Sequence, residues 1–320
     1  MLTHILPPDT QAILLLCASF GQNRNSTPAP LTLGEYNTLA SWLQENKMTP
    51  ADLLLPIFQE RLAKITIGKL DSNRLVALLE RGMMFSVAVE NWTNQGLWIL
   101  GRSDPQYPKR LKQKLKKGSP PILYGCGNID LLSNGGLAVV GSRDVDEDGL
   151  SYTNQVIQAC SNQGIQVVSG GAQGVDQAAM LGTIKLGGTV VGILADSLAK
   201  SVVAGQYRQG IKEGRLTLVS PYDPNAGFNI GNAMGRNKYI YALSDYALVV
   251  SSSVEKGGTW AGVVEALSKI KDVPVFVRMQ GNIPEGNRQL ISKGAIPFPE
   301  APWNQLLSEL LVTPENILNK

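Results

Sequence analysis

Leu137-Ala-Val-Val-Gly141-Ser142-Arg143 is a short apolar run that breaks at a glycine and passes into a helical pattern, Ser151 to Ser161, ending at Gly164. The following segments repeat this rhythm. Ile165 to Val168 leads through Ser169-Gly170-Gly171-Ala172-Gln173-Gly174 into a helix over Val175 to Leu186. Further strands are predicted over Thr189 to Leu194, Leu216 to Val219, Tyr246 to Val250 and Val273 to Val277, with helices over Asn232 to Leu243 and Thr259 to Ile270. Strands that are apolar throughout are buried on both faces, and their alternation with helices means a parallel sheet covered on each side. The expected fold is α/β, a doubly wound parallel sheet over residues 137–320.

Upstream the texture changes. Residues 1–100 read as a small helical domain. Thr10 is expected to cap a helix through Phe20, and Gly21 to Pro30 is expected to be a loop. Thr32-x-x-Glu35 is a capping-box pattern, Thr49-Pro50 starts another helix, and a further one begins at Asp71 and stops at Gly82. Residues 101–136 read as a basic connector, with Lys109, Arg110, Lys112, Lys114, Lys116 and Lys117 close together. Such a run is either a solvated face or a phosphate-contacting arm.

With 43% hydrophobic and 17% charged residues, the chain can bury a substantial core. A net charge of +3 means that any nucleic-acid site is a local patch. Cys17, Cys126 and Cys160 lack metal-ligand spacing, which points to a reducing compartment and no metal. The single histidine, His4, excludes histidine-based mechanisms in the core unless it returns to a site. No apolar run is long enough to span a membrane, and no secretory leader is expected, so the protein is read as cytoplasmic.

Ligands of doubly wound sheets bind at the carboxyl ends of the strands. Three such ends carry small-residue loops, where backbone amides can approach an anion. They are Gly141-Ser142-Arg143, then Ser169 to Gly174 with Gly170 and Gly171, and Lys256-Gly257-Gly258-Thr259. Arg143 is placed to clamp a phosphate, and Arg236-Asn237-Lys238 are expected to open a helix facing the same crevice. Asp176 is read as a helix cap. Glu265 is either a surface residue or a general acid/base. No dinucleotide fingerprint or Walker loop is present, so no nucleotide cofactor is expected and an oxidoreductase is disfavoured.

Taken in order, several motifs resemble the DNA-processing protein A (DprA/Smf) family. They are Asp104-x-x-Tyr107-Pro108, Pro120-Pro121-x-Leu123-Tyr124-x-x-Gly127 and Val139-Val140-Gly141-Ser142-Arg143. Ser169-Gly170-x-Ala172-x-Gly174-x-Asp176 follows, then Arg236-Asn237 before Ile240-Tyr241-x-Leu243-Ser244, and Gly286-Asn287-x-x-Leu290-Ile291-x-x-Gly294-Ala295. The wider group has Rossmann-like domains and includes the lysine-decarboxylase-like phosphoribohydrolases. Two features depart from the family. No histidine follows Asp176, and Gly257-Gly258-Thr259 with Glu265 is closer to the phosphoribohydrolase pattern. The chain ends at Lys320, so no winged-helix domain is expected.

The resemblance implies single-stranded DNA binding in uptake or processing of foreign DNA, a RecA-type recombinase as partner, and a homodimer. The apolar Val273 to Val277 strand and late helix agree with self-association. Tyr207, Tyr222, Phe228 and Tyr239 either stack bases or pack in the core. The alternative is a nucleotide hydrolase that holds phosphate with Arg236 and cleaves with the help of Glu265.

Overall fold

The computed structural model describes residues 6–21, 27–62 and 65–312; His4, part of the Gly21 to Pro30 loop and residues 313–320 lie outside the described residues. Helices come first: α1 (Pro8–Cys17), α2 (Leu33–Glu45), α3 (Pro56–Leu62), α4 (Ser72–Leu79) and α5 (Gly82–Asn94), with a 3-10 turn at Pro50–Leu54. The chain continues through β1 (Trp98–Gly101), α6 (Lys109–Leu115), β2 (Ile122–Gly127) and β3 (Leu137–Gly141). Next come α7 (Glu147–Asn162), β4 (Val167–Ser169), α8 (Val175–Lys185), β5 (Val190–Ile193), α9 (Leu198–Val203) and α10 (Gly205–Lys212). The last part holds β6 (Leu216–Ser220), α11 (Ile230–Leu243), β7 (Tyr246–Ser251), α12 (Gly257–Lys269) and β8 (Val275–Val277). It ends with α13 (Glu285–Ser292), β9 (Ile296–Pro297) and α14 (Leu307–Leu310).

One nine-stranded sheet results, in the order β1-β2-β6-β5-β4-β3-β7-β8-β9. From β6 to β9 every pairing is parallel, as the uninterrupted apolar strands require. Three strands, β1, β2 and β9, lie outside the expected set. β1 pairs antiparallel with β2, and β2 antiparallel with β6. Residues 101–136 are therefore not a linker: they hold α6 and β2 and extend the sheet. The basic side chains dominate the pattern of this stretch, whereas its apolar side chains decide the structure. Leu111, Leu123 and Tyr124 are all buried.

The strands alternate their side chains between two cores. Leu137 and Val139 of β3 join one core with α1, α2, α4, α7 and α8; Ala138 and Val140 join the other with α11 and α12. The N-terminal helices share the first core with the sheet, through Trp92 edge-on to Tyr124 at 5.0 Å. Caps at Thr32 and Asp71 are as expected. Thr10 is not a cap. The helix starts at Pro8, whose missing N–H costs nothing there, and Thr10 is buried where α1 crosses Gly101. No described helix is long and apolar enough to cross a membrane.

Arg278, at the end of β8, is fully buried. Its guanidinium donates to the Val250 carbonyl (3.0 Å), the Asp148 carboxylate (2.8 Å) and the Asn282 carbonyl (2.7 Å), tying β7, α7 and the loop before α13. Replacing Arg278 by Ala should lower stability by about 3 kcal/mol or more, through a cavity and unpaired carbonyls. Chemical denaturation measures this; a change within error would mean the bonds contribute nothing net.

Candidate functional site

From β3 the chain steps to β4, β5 and β6 on one side, and β7, β8 and β9 lie on the other. Loops leaving neighbouring strands part at such a switch point and open a crevice beyond the carboxyl ends. A cleft of about 450 Å³ occupies this position between the Gly141–Asp144 loop, α11 and the start of α12. A second, of about 280 Å³, lies towards the loops after β4 and β5. Both are walled by Arg143, Ala172, Phe228, Ala233 and Arg236, so they form two halves of one groove.

Two buried charges organise the floor. Asp176, the second residue of α8, accepts from the backbone N–H groups of Gly141, Gly170 and Ala172. It is thus a junction of the first two loops, not a helix cap; Gly174 holds the cap position at φ +85°. A side chain at Gly174 would meet the Ser142 and Arg143 carbonyls, so only glycine lets the second loop pass beneath the first. Burial pushes the Asp176 carboxyl up to about 6, against the attraction of Arg236 and the three amides. Arg236 is itself buried and donates to the Gly170 and Ile193 carbonyls. Desolvation lowers its pKa, with Asp176 the largest opposing influence.

The expected site residues divide accordingly. Gly141, Ser142, Arg143, Arg236, Asn237, Gly257, Gly258 and Thr259 line the larger cleft; Gly170 and Gly171 line the smaller. Ser169 is fully buried and donates to the Val139 carbonyl (2.7 Å), within the sheet. Arg236, Asn237 and Lys238 do not open a helix. α11 begins at Ile230 behind the Asn229 cap, which places them about two turns in. Asn237 bonds the Gly258 carbonyl (2.9 Å), and Thr259 the Gly141 carbonyl (2.9 Å), so both tie the rim together. Lys238 lies over the Tyr239 ring and lines neither cleft.

Glu265 is paired with Lys269 at 3.0 Å and lies outside both clefts, so it does not share them with Arg236. Of the four aromatic candidates, Tyr207 and Tyr239 are buried, and the Tyr222 hydroxyl donates to the Asn232 carbonyl (3.1 Å). Phe228 is 55% exposed, with the Arg143 guanidinium 5.1 Å from its ring centroid.

Among the lining residues Ile230 and Met234 were missed, and Lys256 was read only as part of its loop. Lys256 adds an exposed cation, and Ile230 and Met234 are 69% and 45% exposed on α11. Their i, i+4 spacing was visible in the sequence, but an apolar pair at that spacing normally faces a core. The basic run lies elsewhere. Arg110 pairs with Asp245, just before β7, and Lys114 donates to the Ser244 carbonyl (2.6 Å). Both contacts are at the amino ends of the strands, opposite the groove. Among the described residues no cluster of His, Cys, Asp or Glu could hold a metal ion.

Residues 98–309 match the family model of DNA recombination-mediator protein A. The chain is 28% identical over 165 residues to protein Smf of Synechocystis sp., covering 50% of this chain and 41% of that protein. It is 28% identical over 179 residues to DNA processing protein DprA of Streptococcus pneumoniae, covering 55% and 63%. It thus spans less than two thirds of these curated relatives. The crystal structure of DprA from S. pneumoniae shares the fold, with a TM-score of 0.66 at 19% identity over 91% of this chain and 94% of that one. DprA from Helicobacter pylori, described for its single-stranded DNA binding mode, gives 0.54 at 23% identity over 70% and 96%.

Because the Asp176 carboxyl is raised, the folded state holds its proton more tightly than the unfolded chain does. Its contribution is therefore fully present below about pH 4 and is lost as pH rises through about 6. Replacing Asp176 by Asn should flatten that segment of the stability–pH curve relative to the wild type. Urea midpoints from pH 4 to 8 check this; parallel curves would show that Asp176 does not titrate in this range.

Proposed function

The chain belongs to the DNA recombination-mediator protein A family, and we propose that it binds single-stranded DNA along the groove at the switch point of its sheet, in the uptake or processing of foreign DNA. The observation that carries this reading is the exposed Arg143–Phe228 pair at the join of the two clefts. A guanidinium can take a backbone phosphate while the ring beside it offers a face to an unstacked base. Lys256 supplies a second cation, and Ile230 and Met234 extend the apolar edge. Duplex DNA keeps its bases stacked inward, so the ring favours single strands. That the H. pylori relative is described as binding single-stranded DNA supports the assignment.

On the strength of the resemblance we extend the proposal to a RecA-type recombinase partner, a homodimer and a cytoplasmic setting. Sedimentation showing only monomer at micromolar concentration would remove the dimer.

Two exposed cations set a modest salt dependence. Each phosphate contact on a single strand contributes about 0.7 to the log–log slope, so affinity should fall about sevenfold between 50 and 200 mM salt. Arg143→Ala should weaken binding by about one to two decades and remove about half of that slope. Titration of a labelled single strand beside its blunt duplex measures both; equal affinities or a flat salt response would count against the groove.

Phe228→Ala should also weaken single-strand binding, by about 1 to 3 kcal/mol, with the salt slope kept because no charge is lost. Glu265→Gln should leave binding as it is, and nucleotide-release assays should show no turnover for it to abolish. Base release from nucleotides by the wild type would sink the proposal.

A further inference from the structure

Phe228 sits on the connection between β6 and α11, residues 221–229, which is pinned from two sides. On one side Ser197 donates its N–H to the Ala226 carbonyl (2.8 Å) and Ala199 to the Pro224 carbonyl (2.9 Å). On the other side is Asp223. Its Oδ1 accepts from the Asn225 N–H (2.9 Å) and its carbonyl from the Ala226 N–H (2.9 Å), folding the loop back on itself. Its Oδ2 reaches out of the loop, accepting from the Ser19 hydroxyl (2.8 Å) and the Gly21 N–H (3.0 Å). Phe228 lies between Ala226, held by these bonds, and Asn229, which caps α11.

The two distant donors are themselves fixed by the N-terminal helices. Between them, Phe20 stacks on Trp92 at 6.2 Å and meets Phe85 edge-on at 6.3 Å, both on α5. Arg81 lies over the same ring at 4.8 Å and donates to the Leu15 and Ala18 carbonyls at the end of α1. Arg81 is buried, while the bonds to Asp223 lie nearer the surface, part-buried at Ser19 and exposed at Gly21. A carboxylate accepting two donors from a rigid element makes charge-assisted bonds, the stronger class.

We infer that Asp223 is a positioning residue, through which the N-terminal helices hold the Phe228 loop in its strand-binding posture. The inference rests on the single-strand reading of the groove and gives those helices a part in it. They touch no ligand, but they fix the frame from which the exposed ring projects.

Ser19→Ala is the sharpest test, because it removes one remote donor and leaves the loop's own turn intact. Hydrogen exchange of the amides from Asn225 to Asn229 should speed up by about tenfold, with no change in the amides of β3. Affinity for a labelled single strand should fall by about three- to tenfold, and the same change in a Phe228→Ala background should cost nothing further. Asp223→Asn should act in the same direction in both measurements. Unchanged exchange in the loop, or faster exchange with full affinity, overturns the inference, as does an equal loss of affinity with and without the Phe228 ring. If the wild type binds no single strand, the reading of the groove fails on its own and the inferred role in strand binding falls with it. The exchange measurement then decides only whether the link holds the loop.

Discussion

Asp176 and Arg236 are opposite charges buried together under the carboxyl ends of the central strands, and the rest of the site is arranged around the need to satisfy them. A buried ion without compensation costs several kcal/mol. Asp176 is compensated by amides from the loops after β3 and β4, and Arg236 by carbonyls after β4 and β5. Satisfying two charges thus brings three loops and two helices to one point. The fit leaves no room at Gly170, where a side chain would run into both groups.

That arrangement has a consequence for ligand binding. Glycine-rich strand ends are usually read as free amides waiting for an anion. Here the amides of Gly141, Gly170 and Ala172 point inward to Asp176, and that of Ser142 is bonded to Ser251. The start of α12 at Gly257 carries no side-chain cap, and beside it the rim side chains Arg143 and Lys256 add exposed positive charge. Flexible rim cations beside an exposed ring suit a long, variable polyanion better than the fixed cradle that one phosphate group demands.

The two antiparallel strands β1 and β2 give the molecule its second organising feature. They extend the sheet on the side where the N-terminal helices pack, so Trp92, Tyr124 and the α1 side chains enter a core shared with α7 and α8. The helices are anchored by apolar burial, and among the described residues a small polar contact at Asp223 ties them to the site loop. Affinity for the sheet and influence on the groove therefore rest on different physical terms.

The sequence by itself determined the parallel core, because fully apolar strands such as Leu137 to Gly141 and Val190 to Ile193 fit only a sheet buried on both faces. It also marked the glycine-rich strand ends that line the cleft, since such turns show in local pattern, whereas the reversal of strand order came from the tertiary structure. It marked Arg143 and Phe228 as candidates, but alongside Ser169, Lys238, Tyr207 and Tyr239, which have the same chemistry on paper. Only the tertiary structure separated them, because exposure depends on what packs from elsewhere in the chain. Tyr207, on α10, is buried and Phe228 is exposed, although both border the smaller cleft. The tertiary structure also decided that Arg236 serves the fold: its partners at Gly170 and Ile193 lie 66 and 43 residues away, a distance over which no local signal carries.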